Sequence, residues 1–435
     1  MWNAVDAAVA WQLLINVDHI QREQDQAQDQ GDEQQPGPVR RRQQARRRFW
    51  TRPWNSAQER LNHGDFFQLL EVCRHEDQEA FANYLRLPVA MYDEVLTRIQ
   101  PRIQGQSTSL RQALDPGLKL SVTLRHLATG NSYASLAFAF RIAKSTVVGI
   151  IPEVCDAIKD AYAEEVMSLP SDAGTWLEIA EEFRRRWNVP HALGALDGKH
   201  IAIKKPPNTG STYFNYKGFF SVVLMALVDA DYKFLYTDVG GVGHQSDAQI
   251  FNASELRDAI EDGSLDLPDP APMPNDDQDM PYFLLGDDAF ALQTWLMKPY
   301  ARTRLEKSKR IYNYRISRAR RVVENAFGIL ANRFRVFLTT MQQKPQVVMK
   351  IVHAGVCLHN LMRLRYPAGQ NAALDREDQD HQLVPGAWRD GYNLQPLNPA
   401  GAPGRQYQVA CQQRQYLETY FNSPAGSVTW QDNMI

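Results

Sequence analysis

Three apolar runs of β-type residues follow one another between residues 200 and 241, and they constrain the fold more than any other feature. The runs are "HIAI", "FFSVVLMALVD" and "FLYTDVGG", and turns that contain Gly or Asp separate them. Runs of this composition joined by turns predict sequential, antiparallel strands. A fourth run, "YFLLGDD", has the length of a short buried strand that ends at Gly286. We therefore expect a mixed α/β (α+β) domain over residues 190–365.

Helical patterns surround these runs. The stretch "DAQIFNASELRDAI" predicts a helix after the third strand. Residues 292–297 and 317–337 are interpreted as two further helices. In the second of them Val323, Phe327, Leu330 and Phe334 form an apolar stripe at helical spacing. The predicted order is therefore three strands, a helix, a strand and two helices, with acidic residues at the strand ends.

The segment 46–168 is predicted to be a separate helical region. Near residues 117–158, one helix ends at Gly130-Asn131, Ser132 caps a short helix, and Lys144 opens a third. Two short helices joined by a tight turn are typical of a helix-turn-helix, in which polar residues at the start of the second helix contact DNA. A plain three-helix bundle would carry the same pattern, so both interpretations stay open.

The two ends of the sequence differ in composition from the centre. The tail over residues 1–45 begins with an apolar, amphipathic pattern over residues 1–20, and its remainder, residues 21–45, is rich in Gln, Asp and Arg and should be disordered. Residues 366–435 are rich in Gly, Pro, Gln and Asp and should be loosely ordered. The four cysteines include no CxxC pair, which argues against a disulfide framework and a zinc ribbon. No run of eighteen apolar residues occurs, so we predict no membrane span.

Charge is distributed unevenly, although the formal net charge is only −2. Residues 302–335 contain eleven Lys or Arg and two acids, whereas residues 255–288 contain eleven acids and one Arg. Solvated helix faces produce such runs in many proteins. A basic track beside an acidic site is also what a nuclease needs, because DNA is a polyanion.

Three carboxylates stand at positions where they can meet. Asp197 follows an apolar run in "GALDGKHIAIKK", Asp287 follows the buried run "YFLLG", and Glu324 borders the apolar stripe of the basic helix. Acids brought together from separate elements repel one another and lose hydration, so a cation must offset them. Oxygen ligands suit Mg²⁺ or Mn²⁺, and two such ions about 3.5–4 Å apart can promote phosphodiester cleavage. The alternative is that Asp197 is a turn residue, Asp287 a helix cap, and Glu324 an intrahelical partner of Arg320 or Arg321.

Basic residues near these acids are candidates for contact with DNA phosphates. Only one of Lys199 and His200 should line the site, because they point to opposite faces of a strand. The predicted DNA-binding set is Lys144, Lys199, Lys204, Lys205, Arg318, Arg320, Arg321, Arg333 and Arg335. His353, Cys357 and His359 suggest zinc, but a helix turns His359 away from the other two, so packing is the favoured interpretation.

Five segments occur in a characteristic order: "GALDGKHIAIKKP", "YFNYKGFFSVVLMALVDADYKFLYTDVGG", "LLGDDAFALQTWLMKPY", "RRVVENAFGILANRFR" and "CLHNLMR". Together with "RRRFWTRPW" and the helix-turn-helix segment, they resemble the PIF/Harbinger transposase superfamily and its domesticated, transposase-derived nucleases. The resemblance spans about residues 46–365. It implies an RNase H-like catalytic domain with a DDE triad, which falls on Asp197, Asp287 and Glu324.

The resemblance also implies an activity and its requirements. These are DNA hydrolysis followed by strand transfer, two divalent ions (Mg²⁺ or Mn²⁺), and work in the nucleus, with presence in the cytoplasm left open. A Myb/SANT-like DNA-binding companion and homo-oligomers are further expectations. Phe290 replaces the family's usual Tyr, and Asp288 adds a carboxylate beside Asp287, so Asp288 stays an alternative ligand or supporting group. Asp247 is expected to be a helix cap or a supporting group, with direct ligation of an ion as the alternative. A domesticated DNA-binding or scaffold protein without turnover is the second functional hypothesis.

Overall fold

A five-stranded mixed sheet forms the centre of the described part of the chain. The computed structural model describes residues 51–108, 112–301, 303–366, 375–378, 381–386, 389 and 408–435. The predicted disordered segment 1–45 lies outside those residues. The strands of the sheet are β1 (Ala192–Ala202), β2 (Ser221–Val228), β3 (Phe234–Val242), β4 (Phe283–Leu285) and β5 (Leu296–Met297). Their spatial order is β3-β2-β1-β4-β5.

The sheet combines antiparallel and parallel strand pairs, and helices cover both of its faces. The β1, β2 and β3 strands are antiparallel neighbours, as the apolar runs predicted, whereas β4 pairs in parallel with β1. Every residue of β2 is buried, so this strand is covered on both faces. One face lies under helices that include Val322 and Phe327, and the other face lies under Trp176 and Phe251.

Thirteen α-helices surround the sheet in the described residues. They are α1 (Ala57–His63), α2 (Glu71–Glu76), α3 (Gln78–Leu85), α4 (Val89–Ile103), α5 (Pro116–Thr129), α6 (Tyr133–Ala139), α7 (Lys144–Val166), α8 (Ala173–Trp187), α9 (Asp247–Asn252), α10 (Glu255–Glu261), α11 (Lys307–Arg333), α12 (Pro345–Arg365) and α13 (Gln408–Asn422). The architecture is thus mixed α/β, with a helical region preceding the sheet.

Local sequence signals set the helix ends in that N-terminal region. Gly130 ends α5 in the left-handed conformation with φ 72°, and the Ser132 side chain caps α6 by accepting a hydrogen bond from the Ser135 backbone at 3.2 Å. The axes of α6 and α7 differ by 104°. The α7 helix packs against α12, so the helical region shares a core with the sheet.

Three predictions about secondary structure need correction. Residues 292–297 form no helix, because Leu296 and Met297 pair with Leu284 and Leu285 as the edge strand β5. The basic helix α11 begins ten residues before the predicted start at 317 and ends at Arg333, with a 3₁₀ turn from Arg335 to Leu338. The described end of the segment 366–435 contains α13, whose Leu417 and Phe421 are buried.

The α12 helix is long and apolar enough to cross a bilayer by length and composition. In this fold 72% of its most apolar window is buried inside the protein. Its Ile351, Val352 and Leu358 side chains are in the main core, which accounts for the apolar composition of the helix.

Candidate functional site

The strand register brings Asp197 and Asp287 together. Ala195 of β1 is paired with Leu285 of β4, and each acid lies two residues beyond its member of that pair. Because the two strands are parallel, both chains leave the pair in the same direction and deliver their carboxylates to the same edge. Asp197 is buried, and Asp287 accepts a hydrogen bond from the Ala289 backbone at 2.9 Å.

A third acid, Asp247, reaches the same place from the start of α9. Ser246 and Gln249 form a capping box, in which the Ser246 amide donates to Gln249 Oε1 at 3.0 Å and the Gln249 amide donates to Ser246 Oγ at 3.4 Å. The box fixes the first turn of the helix directly after β3. Asp247 is buried there, and its Oδ1 atom has no hydrogen-bond partner.

Asp197, Asp247 and Asp287 form what we call the acid cluster. One carboxylate oxygen from each residue lies within 4.8 Å of the others. Burial, followed by the charges of Asp197 and Asp287, raises the pKa of Asp247 to about 8. Burial also raises the pKa of Asp197 to about 7, with Arg320 opposing the shift and Asp287 adding to it. The raised pKa values mean that ionising these buried carboxylates costs free energy. A bound divalent cation would stabilise their ionised form.

Glu324, the predicted third acid, lies outside the acid cluster. Its Oε1 accepts a hydrogen bond from Arg320 Nη2 at 2.5 Å, one helical turn earlier on α11. The same guanidinium lies 3.7 Å from Asp197 Oδ2. Burial would lower the pKa of Arg320, but the carboxylates of Asp197, Glu324 and Asp287 outweigh burial and raise it. Arg320 therefore acts as an internal counter-ion between Glu324 and Asp197, and the intrahelical pair of Arg320 with Glu324, one of the alternatives left open by the sequence, is present.

Two lysines approach the acid cluster. Lys199 lies two residues after Asp197 on the same face of β1, and burial lowers its pKa to about 8 despite the charge of Asp197. Lys217, in the loop before β2, interacts electrostatically with Asp247 and Asp197 while burial lowers its pKa. His200 is on the opposite face and contacts Ser221 Oγ through Nδ1 at 2.9 Å. The sequence argument did not select Lys217, although it lies inside the motif "YFNYKGFF".

The neighbours of Asp287 resolve two open points. Asp288 is exposed and is not a member of the acid cluster. Phe290 is buried and packs edge-on against Phe251, with ring centroids 5.7 Å apart. Its backbone carbonyl accepts a hydrogen bond from Lys298 Nζ at 2.6 Å. A phenyl ring fits this apolar contact, which gives a structural reason for Phe at a position where a hydroxyl would be buried.

The predicted DNA-binding set needs a correction at Arg318. Its guanidinium is buried and donates to both carboxylate oxygens of Glu377, at 2.6 and 2.8 Å, so it cannot face a phosphate. Arg320 is engaged by the acids, and Arg333 donates to the Arg86 carbonyl at 3.0 Å while its pKa falls to about 10 through burial. Arg321 is half-buried. The exposed members of the set are Lys144, Lys204, Lys205 and Arg335.

The histidine and cysteine candidates for zinc lie apart from the acid cluster. His359 is buried, and its Nε2 contacts the Tyr232 carbonyl at 2.9 Å. Cys357 is buried in the core, and burial raises the pKa of its thiol to about 12. Within the described residues, the converging ligand atoms belong to the acid cluster and not to this trio.

Comparison with known proteins gives a family match over the sheet domain. Residues 196–360 match the DDE superfamily endonuclease family, a range that includes Asp197, Asp247, Asp287 and Glu324. The Homo sapiens protein named "Putative nuclease HARBI1" is 25% identical over 260 residues, which cover 59% of this chain and 70% of the relative. The Bos taurus protein of the same name is 24% identical over the same shares.

A plant relative extends the comparison. The Arabidopsis thaliana protein named "Protein ALP1-like" is 23% identical over 310 residues, or 70% of this chain and 72% of that protein. No solved structure matches the chain at a significant level.

Proposed function

Because the chain belongs to the Harbinger transposase-derived family of DDE superfamily endonucleases, we propose that it is a metal-dependent nuclease that hydrolyses DNA phosphodiester bonds. The observation that carries the proposal is the acid cluster, in which oxygens from three separate elements converge within 4.8 Å. Bringing three acids together costs free energy, and binding divalent cations is the chemical use that offsets it.

The side chains of the cluster fit a hard divalent ion. Asp197, Asp247 and Asp287 would hold Mg²⁺ or Mn²⁺, and the unpartnered, buried Oδ1 of Asp247 is an oxygen ready for such a contact. When bound, one or two ions would polarise a phosphate and lower the pKa of water. Glu324 would join the set only after Arg320 releases it, because the guanidinium now binds its carboxylate.

The chain's own residues supply the remaining functions. Lys199 and Lys217, which both interact electrostatically with Asp197, would bind non-bridging oxygens of the scissile phosphate and orient it. Arg320 would hold Asp197 and Glu324 in position before the site is loaded, and it would release Glu324 when an ion takes its place. In hydrolysis water replaces the 3′-oxygen at phosphorus. Strand transfer would use the freed 3′-hydroxyl as the nucleophile on a second DNA strand.

Finer features of the family are part of the proposal. The strand order β3-β2-β1-β4-β5, with three antiparallel strands followed by two parallel ones, supports an RNase H-like domain. The 104° angle between α6 and α7 and the exposed Lys144 at the start of α7 support a DNA-contacting helix-turn-helix. Action in the nucleus, homo-oligomers and a Myb/SANT-like companion follow from the family resemblance.

One observation favours a second function, that of a DNA-binding or scaffold protein without turnover. Arg320 already neutralises part of the charge of Asp197 and Glu324, so the fold holds these two acids together without an ion. In that case the exposed lysines and Arg335 would bind DNA, and the acid cluster would be a remnant.

Cleavage of labelled duplex DNA in Mn²⁺ tests the proposal. We expect Asp197→Asn and Asp247→Asn each to lower the cleavage rate by about 10³-fold or more, because each removes an ion ligand. Glu324→Gln should also lower it. Asp288→Asn is the matched control, since it removes a neighbouring exposed carboxylate and should cut like the wild type. Wild-type protein that binds DNA but never cuts, with or without nuclear extract to supply a companion, would contradict the nuclease and favour the non-catalytic function.

A further inference from the structure

The loop between β1 and β2 carries two aromatic rings that face solvent beside the acid cluster. Phe214 is 43% exposed and Tyr216 is 49% exposed. Lys204 and Lys205 are exposed at the start of the loop, and the Lys205 amino group lies 5.7 Å from the Phe220 ring centroid. Exposed aromatic rings in company with basic residues are the usual components of sites for single-stranded nucleic acid.

The loop that presents these rings is fixed by buried hydrogen bonds. Asn215 is buried, and its Oδ1 accepts from the Lys217 and Phe219 amides at 3.0 and 3.2 Å. Its Nδ2 donates to Ser221 Oγ at 3.0 Å, and the same oxygen contacts His200 Nδ1 at 2.9 Å. The loop is therefore tied to both β1 and β2, so the rings are held in place before any ligand arrives.

Close packing against β3 adds a further constraint. A Cβ atom at Gly243 would lie 2.2 Å from the Tyr213 carbonyl oxygen, so only glycine allows the loop and the end of β3 to approach this closely. Phe214 also pairs with Phe220 as an isolated antiparallel bridge, and their rings meet edge-on with centroids 5.1 Å apart. The backbone on each side of the exposed rings is thus braced.

Lys217 connects the rings to the catalytic acids. Its amino group lies 5.5 Å from the Tyr216 ring centroid and senses the charges of Asp247 and Asp197. A phosphate bound by Lys217 beside the acid cluster would have its attached nucleotide within reach of the Tyr216 ring. Phe214, two residues earlier in the same braced loop, offers a second exposed ring for a base.

We infer that Phe214 and Tyr216 form a stacking platform for unpaired bases of a DNA strand whose phosphates are held by Lys217 at the acid cluster. The inference rests on the proposed nuclease function and specifies the form of its substrate. Base faces are hidden inside a duplex and become available only in frayed, bulged or single-stranded DNA. Stacking needs no particular base, so the platform would select unpaired structure and not sequence.

The test measures DNA binding in EDTA, so that it does not depend on cleavage. One probe is a duplex with a four-nucleotide overhang that contains the fluorescent base 2-aminopurine, and the other is the fully paired duplex. We expect the wild type to bind the overhang more tightly and to change 2-aminopurine fluorescence. Phe214→Ala and Tyr216→Ala should each weaken binding of the overhang about 5-fold or more, with little effect on the paired duplex.

Two control variants make the result specific to the rings. Tyr216→Phe keeps the ring and should retain binding within about two-fold. Leu177→Ala removes an apolar side chain of similar exposure, 44%, on α8 and should change neither probe. Equal affinity of the wild type for the two probes would overturn the inference, as would equal losses on both, and the rings would then be assigned to a protein partner. Preference for the overhang in a protein that never cuts DNA would support the platform and reject only the nuclease.

Discussion

This fold buries two groups of ionisable side chains, a pair of arginines on α11 and the acid cluster, and the two groups differ in their hydrogen-bond partners. On α11, Arg315 and Arg318 form an arginine anchor. Arg315 donates to the Gly426 carbonyl at 3.2 Å and to Gln431 Oε1 at 2.8 Å. Arg318 forms a bidentate ion pair with Glu377. In the acid cluster the carboxylates face one another, and Asp247 Oδ1 has no partner.

The difference shows what marks a functional site. Burial of charge is common to both groups, so burial alone does not distinguish structure from function. In the anchor, Arg318 is paired with an opposite charge on Glu377, and Arg315 donates to oxygens of Gly426 and Gln431 while its Nε has no hydrogen-bond partner. In the cluster the acidic groups face one another, and burial raises the pKa of Asp197 and Asp247, so ionising them costs free energy. We therefore expect the two groups to respond in opposite ways to mutation and to metal.

The largest expected effect comes from breaking the anchor. Arg318→Ala should lower the free energy of unfolding by about 3–5 kcal/mol, because the largely buried Glu377 loses the guanidinium that binds both of its carboxylate oxygens. Urea unfolding monitored by circular dichroism measures the loss. Arg310→Ala, at an exposed position earlier on the same helix, is the control and should change stability by about 0.5 kcal/mol or less. A loss below about 1 kcal/mol for Arg318→Ala would show that its contacts do not anchor the segment.

The next largest effect is an increase in the free energy of unfolding when the acid cluster binds a metal ion. Mn²⁺ at about one hundred times its Kd should raise the free energy of unfolding by about 2.7 kcal/mol, and EDTA should reverse the gain. Thermal unfolding with and without Mn²⁺ measures it. Asp247→Asn should remove most of the gain, whereas Asp288→Asn should retain it. A gain that is equal in both variants would place the ion somewhere other than the acid cluster.

Sequence patterns were sufficient for the parts of the fold in which one signal dominates. The three apolar runs predicted the antiparallel strands, and "YFLLG" predicted the strand that carries Asp287 to the edge of the sheet. The prediction of a helix over residues 292–297 was wrong, because an apolar run of that length fits a helix or a strand equally well. Only the pairing of Leu296 with Leu284, which is a tertiary contact, decides between them.

For the site, the sequence predicted the positions of individual acids along the chain but not their partners. The apolar runs predicted that Asp197 lies on or just after a strand and that Asp287 follows one, and Asp197 lies within β1 while Asp287 follows β4. Helix phase predicted Glu324 at the border of the core stripe of α11. Periodicity does not specify side-chain partners, so it could not foresee that Arg320 separates Glu324 from the other acids. The third member of the acid cluster is Asp247, for which the sequence predicts a cap or supporting role, with direct ligation of an ion as the alternative. Its signal was the capping box of Ser246 and Gln249 directly after a strand, which fixes the direction of an adjacent acid.

His359, a buried histidine close to Arg363 and Arg333, gives the third prediction. Burial, reinforced by Arg363 and Arg333, lowers the pKa of His359 to about 3. The unfolded chain has the ordinary value of about 6.5 and therefore binds the proton first as pH falls. The stability contributed by neutral His359 is complete above pH 6.5 and is lost progressively toward pH 3, by about 2 kcal/mol at pH 5.

Unfolding free energies at pH 7.5 and pH 5 test this prediction. His359→Gln keeps a donor for the Tyr232 carbonyl and should be less sensitive to this change in pH than the wild type. His63→Gln, at an exposed histidine on α1, should behave like the wild type. Equal pH sensitivity in all three proteins would mean that proton uptake at His359 does not limit acid stability.

The smallest expected effect separates the positioning of an acid from the stability of a helix. Ser246→Ala removes the side-chain half of the capping box of α9 and should lower the free energy of unfolding by about 1 kcal/mol. Ser254 caps the next helix, α10, by accepting from the Arg257 amide at 3.3 Å, so Ser254→Ala should have a similar cost. The two caps differ in the residue that each one orients, because Asp247 is the first residue of α9 and α10 contributes nothing to the acid cluster. Thermal unfolding with and without Mn²⁺ should therefore show a reduced metal-induced shift for Ser246→Ala and an unchanged one for Ser254→Ala. If both variants keep the full shift, the cap stabilises α9 without orienting Asp247, and the cluster's geometry must come from the strands alone.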